Sequence, residues 1–292
     1  MRPVIVALFA ALFLAAPACA PAPAPRGEPA LWRISDSDSE IWLFGTVHVL
    51  PADLAWRSPR LDAALHSADE LVVETDAEDA ETANALTARY GLLPAGETLS
   101  ARLDPATLER VRRVSAHLGV DPASLETLRP WLAALRLSYT FAAARGHRQA
   151  AGVETALLAD ARAQNKRITY LETPEQQIRT LADLSDADQL RFLAASLDEI
   201  ETQSDALEHM DRAWASGDVE TLDAQMRTQL NEAGPAAFDA IITRRNRAWT
   251  EAIARRLEGE GRIFYAVGAA HLVGDDGVVA QLRARGVAVE GP

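Results

Sequence analysis

Two stretches far apart in the chain share one pattern, an apolar run that closes on Gly-x-x-His. They are Leu43-Phe44-Gly45-Thr46-Val47-His48 and Val267-Gly268-Ala269-Ala270-His271. Ile41 to Phe44 and Ile263 to Val267 are β-rich and read as buried strands. A glycine where a strand stops lets the backbone turn sharply or pass close to another group, as Gly45 and Gly268 would here. A histidine three residues later then stands at the carboxyl end of its strand, the edge at which α/β sheets bind ligands. Either motif alone could be an unrelated, satisfied histidine. Together they favour one sheet whose edge brings His48 and His271 across a single site.

Other segments supply the rest of such a sheet. Leu31 to Ile34 and Ile41 to Gly45 form a hairpin about Ser35-Asp36-Ser37-Asp38-Ser39, Glu70 to Glu74 is a third strand, and Arg167 to Leu171 and Val287 to Val289 are two more. Glu74 and Glu172 end their strands as His48 ends its own, although Glu172 can also be read as an acid at a helix N-terminus, before Pro174. From residue 78 to 236 the pattern is helical, with Asp104-Pro105 and Asp121-Pro122 as helix starts. His66, His117, His147 and His209 sit singly and are expected to be structural or exposed. Residues 239–257 read as one arginine-rich helix carrying Arg244, Arg245, Asn246 and Arg247. The expected fold class is α/β: a central mixed β-sheet flanked by helices, with a largely helical insertion over about 78–236, in a single domain over 30–292.

The first 18 residues are Met-Arg followed by an apolar run too short for a comfortable membrane span, then small residues, which is an export signal. Cleavage after Ala16-Pro17-Ala18 would leave Cys19 first, so that lipid attachment at Cys19 and a plain secreted form both stay open; Ala16 stands where a lipobox usually has leucine. Residues 19–29, rich in Pro and Ala, read as an extended tether. The expected location is the periplasm or, lipid-anchored, the cell envelope. A formal charge of −13 disfavours nucleic acid and anionic membrane surfaces as partners. Cys19 is the single cysteine, so the mature domain holds no disulfide and depends on its core.

The order and spacing of Leu31-Trp-Arg-Ile34, Gly45-Thr-Val-His-Val-Leu-Pro51, Leu71-Val-Val-Glu-Thr-Asp76, Leu171-Glu-Thr-Pro-Glu-Gln-Gln177, Arg244-Arg-Asn246 and Val267-Gly-Ala-Ala-His-Leu272 resemble the TraB/GumN proteins. That family is related to the Tiki metalloproteases and, more distantly, to the erythromycin-esterase and ChaN-like group. The resemblance supports Glu74 as a site residue, lifts Glu172 towards a site role, and picks out Arg245-Asn246 as a pair that could hold a substrate carboxylate or an oxyanion. Glu154 stands where the family more often has Asp. Two imidazoles and a carboxylate, His48, His271 and Glu74, form a set able to bind a divalent metal such as manganese, cobalt or zinc with open positions, which suits hydrolysis. A second carboxylate, Glu172 or Glu154, could take the proton. A metal-dependent peptidase acting on a peptide or small molecule is what the Tiki relationship implies. The alternative is an extracytoplasmic protein that binds haem, a metal ion or a secreted peptide without turnover.

Overall fold

The computed structural model describes residues 27–76, 79–202 and 205–292. The expected leader over 1–18, Cys19 and all of the tether up to residue 26 lie outside the described residues. The end of the tether does not run free: Gly27 N–H donates to Ala55 O and Glu28 N–H to Ala215 O.

The strands are β1 (Leu31–Ser35), β2 (Ser39–Thr46), β3 (Leu50–Pro51), β4 (Glu70–Val73), β5 (His147–Arg148), β6 (Arg167–Tyr170), β7 (Gly261–Gly268) and β8 (Val289–Glu290). Six of them form a mixed sheet in the order β6-β4-β7-β2-β1-β8. β6, β4, β7 and β2 are mutually parallel, and β1 closes the hairpin with β2 as an antiparallel strand. β3 and β5 make a separate two-stranded ribbon that the sequence does not announce, because two residues carry no periodicity. The last strand begins at Val289, later than the sequence suggests, since Gly286 and Val287 are used to turn the chain off the preceding helix.

The helices are α1 (Pro59–Ser67), α2 (Ala80–Gly91), α3 (Pro105–Leu118), α4 (Pro130–Ala144), α5 (Val153–Ala163), α6 (Pro174–Ala182), α7 (Asp186–Thr202), α8 (Ala206–Ser216), α9 (Val219–Glu232), α10 (Pro235–Phe238), α11 (Arg244–Leu257) and α12 (Val278–Ala284). Asp104 caps α3 through the N–H groups of Ala106 and Thr107, whereas Asp121 opens only a short 3₁₀ turn. Thr173 and Gln176 close a reciprocal capping box on α6, directly after Glu172. The helix expected over 239–257 is broken near its start by a π turn at Asp239–Thr243, a feature that often marks functional positions.

Two apolar cores result. One packs both faces of the sheet and includes Phe44, Trp56, Trp214 and Phe264, whose rings lie about Phe44 at centroid distances of 6.0 to 6.4 Å. The other belongs to the helical insertion, where Leu93, Val111, Leu125, Leu137 and Leu193 pack α3, α4 and α7 together. No described helix is long and apolar enough to cross a membrane.

Candidate active site at the carboxyl edge of the sheet

Four neighbouring parallel strands end at one edge, in register: Val73 pairs with both Tyr170 and Ala266, and Thr46 with Gly268. The residues just past those ends are Glu172, Glu74, His271 and His48. α11 lies against this edge and adds Arg245 and Asn246 from its buried face, while Arg244, Arg247 and Arg255 point to solvent.

Arg245 is the hub. Its Nη2 donates to Glu74 Oε2 and Glu172 Oε1, each at 2.6 Å, its Nε to Glu172 Oε2 at 3.1 Å, and its Nη1 to His271 Nε2 at 2.9 Å and Ile241 O at 3.4 Å. A guanidinium has five N–H donors, and all are used within the protein. In this arrangement none is left for a substrate oxyanion. The side chain also lies over the Trp249 ring, 4.5 Å from its centroid, and Trp249 packs on His271 at 4.4 Å.

Asn246 is fully buried and works through His271. Its Nδ2 donates to Asp276 O at 2.7 Å, so its Oδ1 is the acceptor that meets His271 Nδ1 at 2.6 Å. His271 therefore carries its proton on Nδ1 and presents the Nε2 lone pair to Arg245, with Glu74 Oε1 3.9 Å from the same nitrogen. Burial pushes this imidazole down to about 3, which keeps it neutral.

Glu74 is held from three sides. Gly268 N–H donates to Oε1 at 2.6 Å, and Oε2 accepts from Arg245 and from Gln177 Nε2 at 3.2 Å. Burial would raise its pKa, but the charges of Arg245 and His48 and the Gly268 amide outweigh it and bring the group down to about 2, so it is ionised. Glu172 behaves oppositely: burial pushes it up more than Arg245 pulls it down. A Cβ on Gly268 would sit 3.1 Å from Glu74 Oε1, so that the carboxylate would have to yield by a few tenths of an ångström.

His48 occupies the open side, its side chain 56% exposed, with Nδ1 2.9 Å from Glu154 Oε1. Glu154 arrives because Gly152 lets the start of α5 press against His48 O, and Val153 N–H bonds Val47 O. The Thr46 hydroxyl donates to the same Glu154 oxygen. The Glu154 charge raises His48 to about 9, and the carboxylate is in turn lowered by His48 and Thr46 against the effect of its burial.

His66, His117 and His209 are exposed and away from this edge, while His147 is buried against Asp211, 2.7 Å away, a partner with no signature in the local sequence. Gln177 and Trp249 were not singled out from the sequence. Trp249 is four residues beyond Arg245 and so on the same helical face, a spacing that could have marked it.

In chemical type the side chains gathered at this edge, the His271 and His48 imidazoles and the Glu74 and Glu172 carboxylates, are ones able to ligate a divalent ion, and His271 keeps its Nε2 unprotonated. Among the described residues no three of them stand grouped so as to hold an ion, and the Arg245 guanidinium lies between Glu74, Glu172 and His271.

The chain matches the model of the TraB/PrgY/gumN family over residues 30–291. The "Uncharacterized protein YbaP" of Escherichia coli strain K12 is 30% identical over 262 residues, which cover 88% of this chain and 95% of that protein. The protein of the same description from Shigella flexneri is 31% identical over 241 residues, 82% of this chain and 87% of its own length.

Proposed function

The chain belongs to the TraB/PrgY/gumN family, and from that premise we propose that its carboxyl-edge site is a metal-dependent hydrolytic centre for amide or ester bonds in peptides or small molecules. The observation that supports this most is the delivery of His48, Glu74, Glu172 and His271 to one edge by four parallel strands, with Asn246 fixing the His271 tautomer. A divalent ion of manganese, cobalt or zinc held by His48, Glu74 and His271 would lower the pKa of a bound water and polarise a carbonyl.

The chain's own groups divide the remaining work. Asn246 keeps the proton of His271 on Nδ1, so that Nε2 stays a lone pair. The Gly268 amide and Gln177 fix the two oxygens of Glu74. Glu154 stands beside His48 on the exposed side, so it is the carboxylate better placed to accept the proton of an attacking water; Glu172 is deeper and tied by two bonds to Arg245.

The test is metal analysis of chelator-treated protein, followed by cleavage of a peptide library with added manganese, cobalt or zinc. Wild type should bind an ion and cut, while Glu74→Gln and His271→Ala should lose both. Wild-type protein that binds no metal at any added concentration overturns the reading. Metal bound without cleavage of any peptide or ester moves the site to the binding class.

A further inference from the structure

The groups around Arg245 carry a charge mismatch. Glu74 and Glu172 bring two carboxylates, His271 brings a neutral imidazole, and the single guanidinium is their direct cationic partner. Their side chains are 9%, 9% and 5% exposed, so solvent offers little screening. Three donor atoms, Glu74 Oε2, Glu172 Oε1 and His271 Nε2, lie at 2.6, 2.6 and 2.9 Å from two nitrogens of one planar group. Oxygen, oxygen and imidazole nitrogen make a donor set suited to a divalent ion.

We infer that Arg245 is the resident cation of this site, and that a divalent metal ion and the Arg245 guanidinium compete for the same donors, with Glu172 serving as a metal ligand beside Glu74 and His271. The inference rests on the hydrolase reading only in that the site takes a divalent ion. It changes the role of Glu172, which becomes a ligand, and that of Arg245, which becomes a built-in competitor rather than a hold for substrate. A divalent charge balances both carboxylates, whereas the guanidinium balances one. The Trp249 ring and Ile241 O, which Arg245 already touches, offer contacts that do not involve the three donors.

The experiment is calorimetric titration of the purified, chelator-treated chain with manganese and zinc ions alone, with no substrate present. Arg245→Met should tighten binding by roughly tenfold or more, because a positive charge a few ångströms from a divalent ion repels it by more than one power of ten in affinity even when partly screened. Arg244→Met removes the same charge from the exposed neighbour and should leave affinity unchanged. Adding Glu172→Gln to Arg245→Met should abolish the gain. An Arg245→Met chain that binds no more tightly than wild type, a gain matched by Arg244→Met, or a gain that survives Glu172→Gln overturns the inference. Should Arg245→Met fail to fold, Arg245→Lys keeps a positive charge but has fewer donors and should show an intermediate gain; no gain there overturns the inference equally. Metal binding indifferent to Arg245 would leave the hydrolase reading standing, and a gain in binding without cleavage in any variant would sink that reading alone.

Discussion

Asn246 shows how a residue without access to solvent can decide the chemistry of a site. Both ends of its amide are committed, to His271 Nδ1 and to Asp276 O. Asn246→Ala leaves the buried His271 Nδ1–H without its acceptor and takes one of two donors from Asp276 O, which keeps Gln281 Nε2, a loss of about 1–3 kcal/mol, and frees the His271 proton to move to Nε2. Metal affinity should then fall by roughly 10–100-fold, as for other lost partners of ligating histidines. Asn246→Asp keeps an acceptor for Nδ1–H but not the donor to Asp276 O, so it should lose stability while keeping most of the affinity. Urea unfolding and metal titration on both variants separate the two effects. Equal affinities in the two would mean that the tautomer is not what Asn246 controls. At this scale the sequence displayed the ends of strands, His48, Glu74, Glu172 and His271, but not the partners. Glu154 meets His48 only because Gly152 allows α5 to approach so closely, and that depends on contacts more than 100 residues apart.

The strand-end glycines extend the argument to the elements. Gly268 has φ −51, which any residue adopts, so Gly268→Ala costs nothing in backbone strain. Its Cβ would instead meet Glu74 Oε1 at 3.1 Å and His271 Cδ2 at 3.4 Å. At Gly45 the added Cβ would meet Ala269 Cα and Cβ, both at 3.0 Å, and Ala269 Cα is buried backbone in the turn that follows β7. Gly45→Ala should therefore cost more stability, about 1–3 kcal/mol for an overpacked core, whereas Gly268→Ala should cost metal affinity first. Thermal melts with metal titrations decide it, and the reverse ranking would count against the geometry of the edge. Both glycines and their strands could be read from the sequence because alternation and apolar runs are local. The order β6-β4-β7-β2 could not, since neighbours in a parallel sheet are chosen by crossovers spanning long stretches of chain. The π turn at Asp239–Thr243 was equally hidden: one extra residue in a turn leaves a helical pattern nearly unchanged in a sequence, yet it rotates Arg245 and Asn246 relative to what precedes them.

Across the whole molecule the two edges of the sheet divide their roles, and titration can tell them apart. At the amino edge, Glu70 is fully buried and accepts from Arg256, Arg167 and Thr169, at the opposite end of β4 from Glu74. Burial would raise its pKa, but the Arg256 and Thr169 bonds, with the Arg256 and Arg167 interactions, more than offset that and leave it below the ordinary 4.5. A carboxylate depressed in the folded state stabilises fully above its unfolded pKa and loses that contribution as pH falls through the folded value. Glu172, raised by burial, has the opposite sign, since its folded form holds a proton more readily than the unfolded chain does. Acid should therefore erode the amino edge while it relieves Glu172 at the carboxyl edge. Glu70→Gln keeps the shape and one acceptor but loses the charge, and should be less stable than wild type at pH 7 by about 1–3 kcal/mol, the range for a hydrogen bond to a charged group and its loss. Urea unfolding of both chains at pH 7, 5, 4 and 3 should show that gap holding to near pH 4.5 and then closing, because below that range wild-type Glu70 becomes protonated too. A gap that stays constant down to pH 3 would mean that packing, and not the charge of Glu70, holds β4 to β6 and α11.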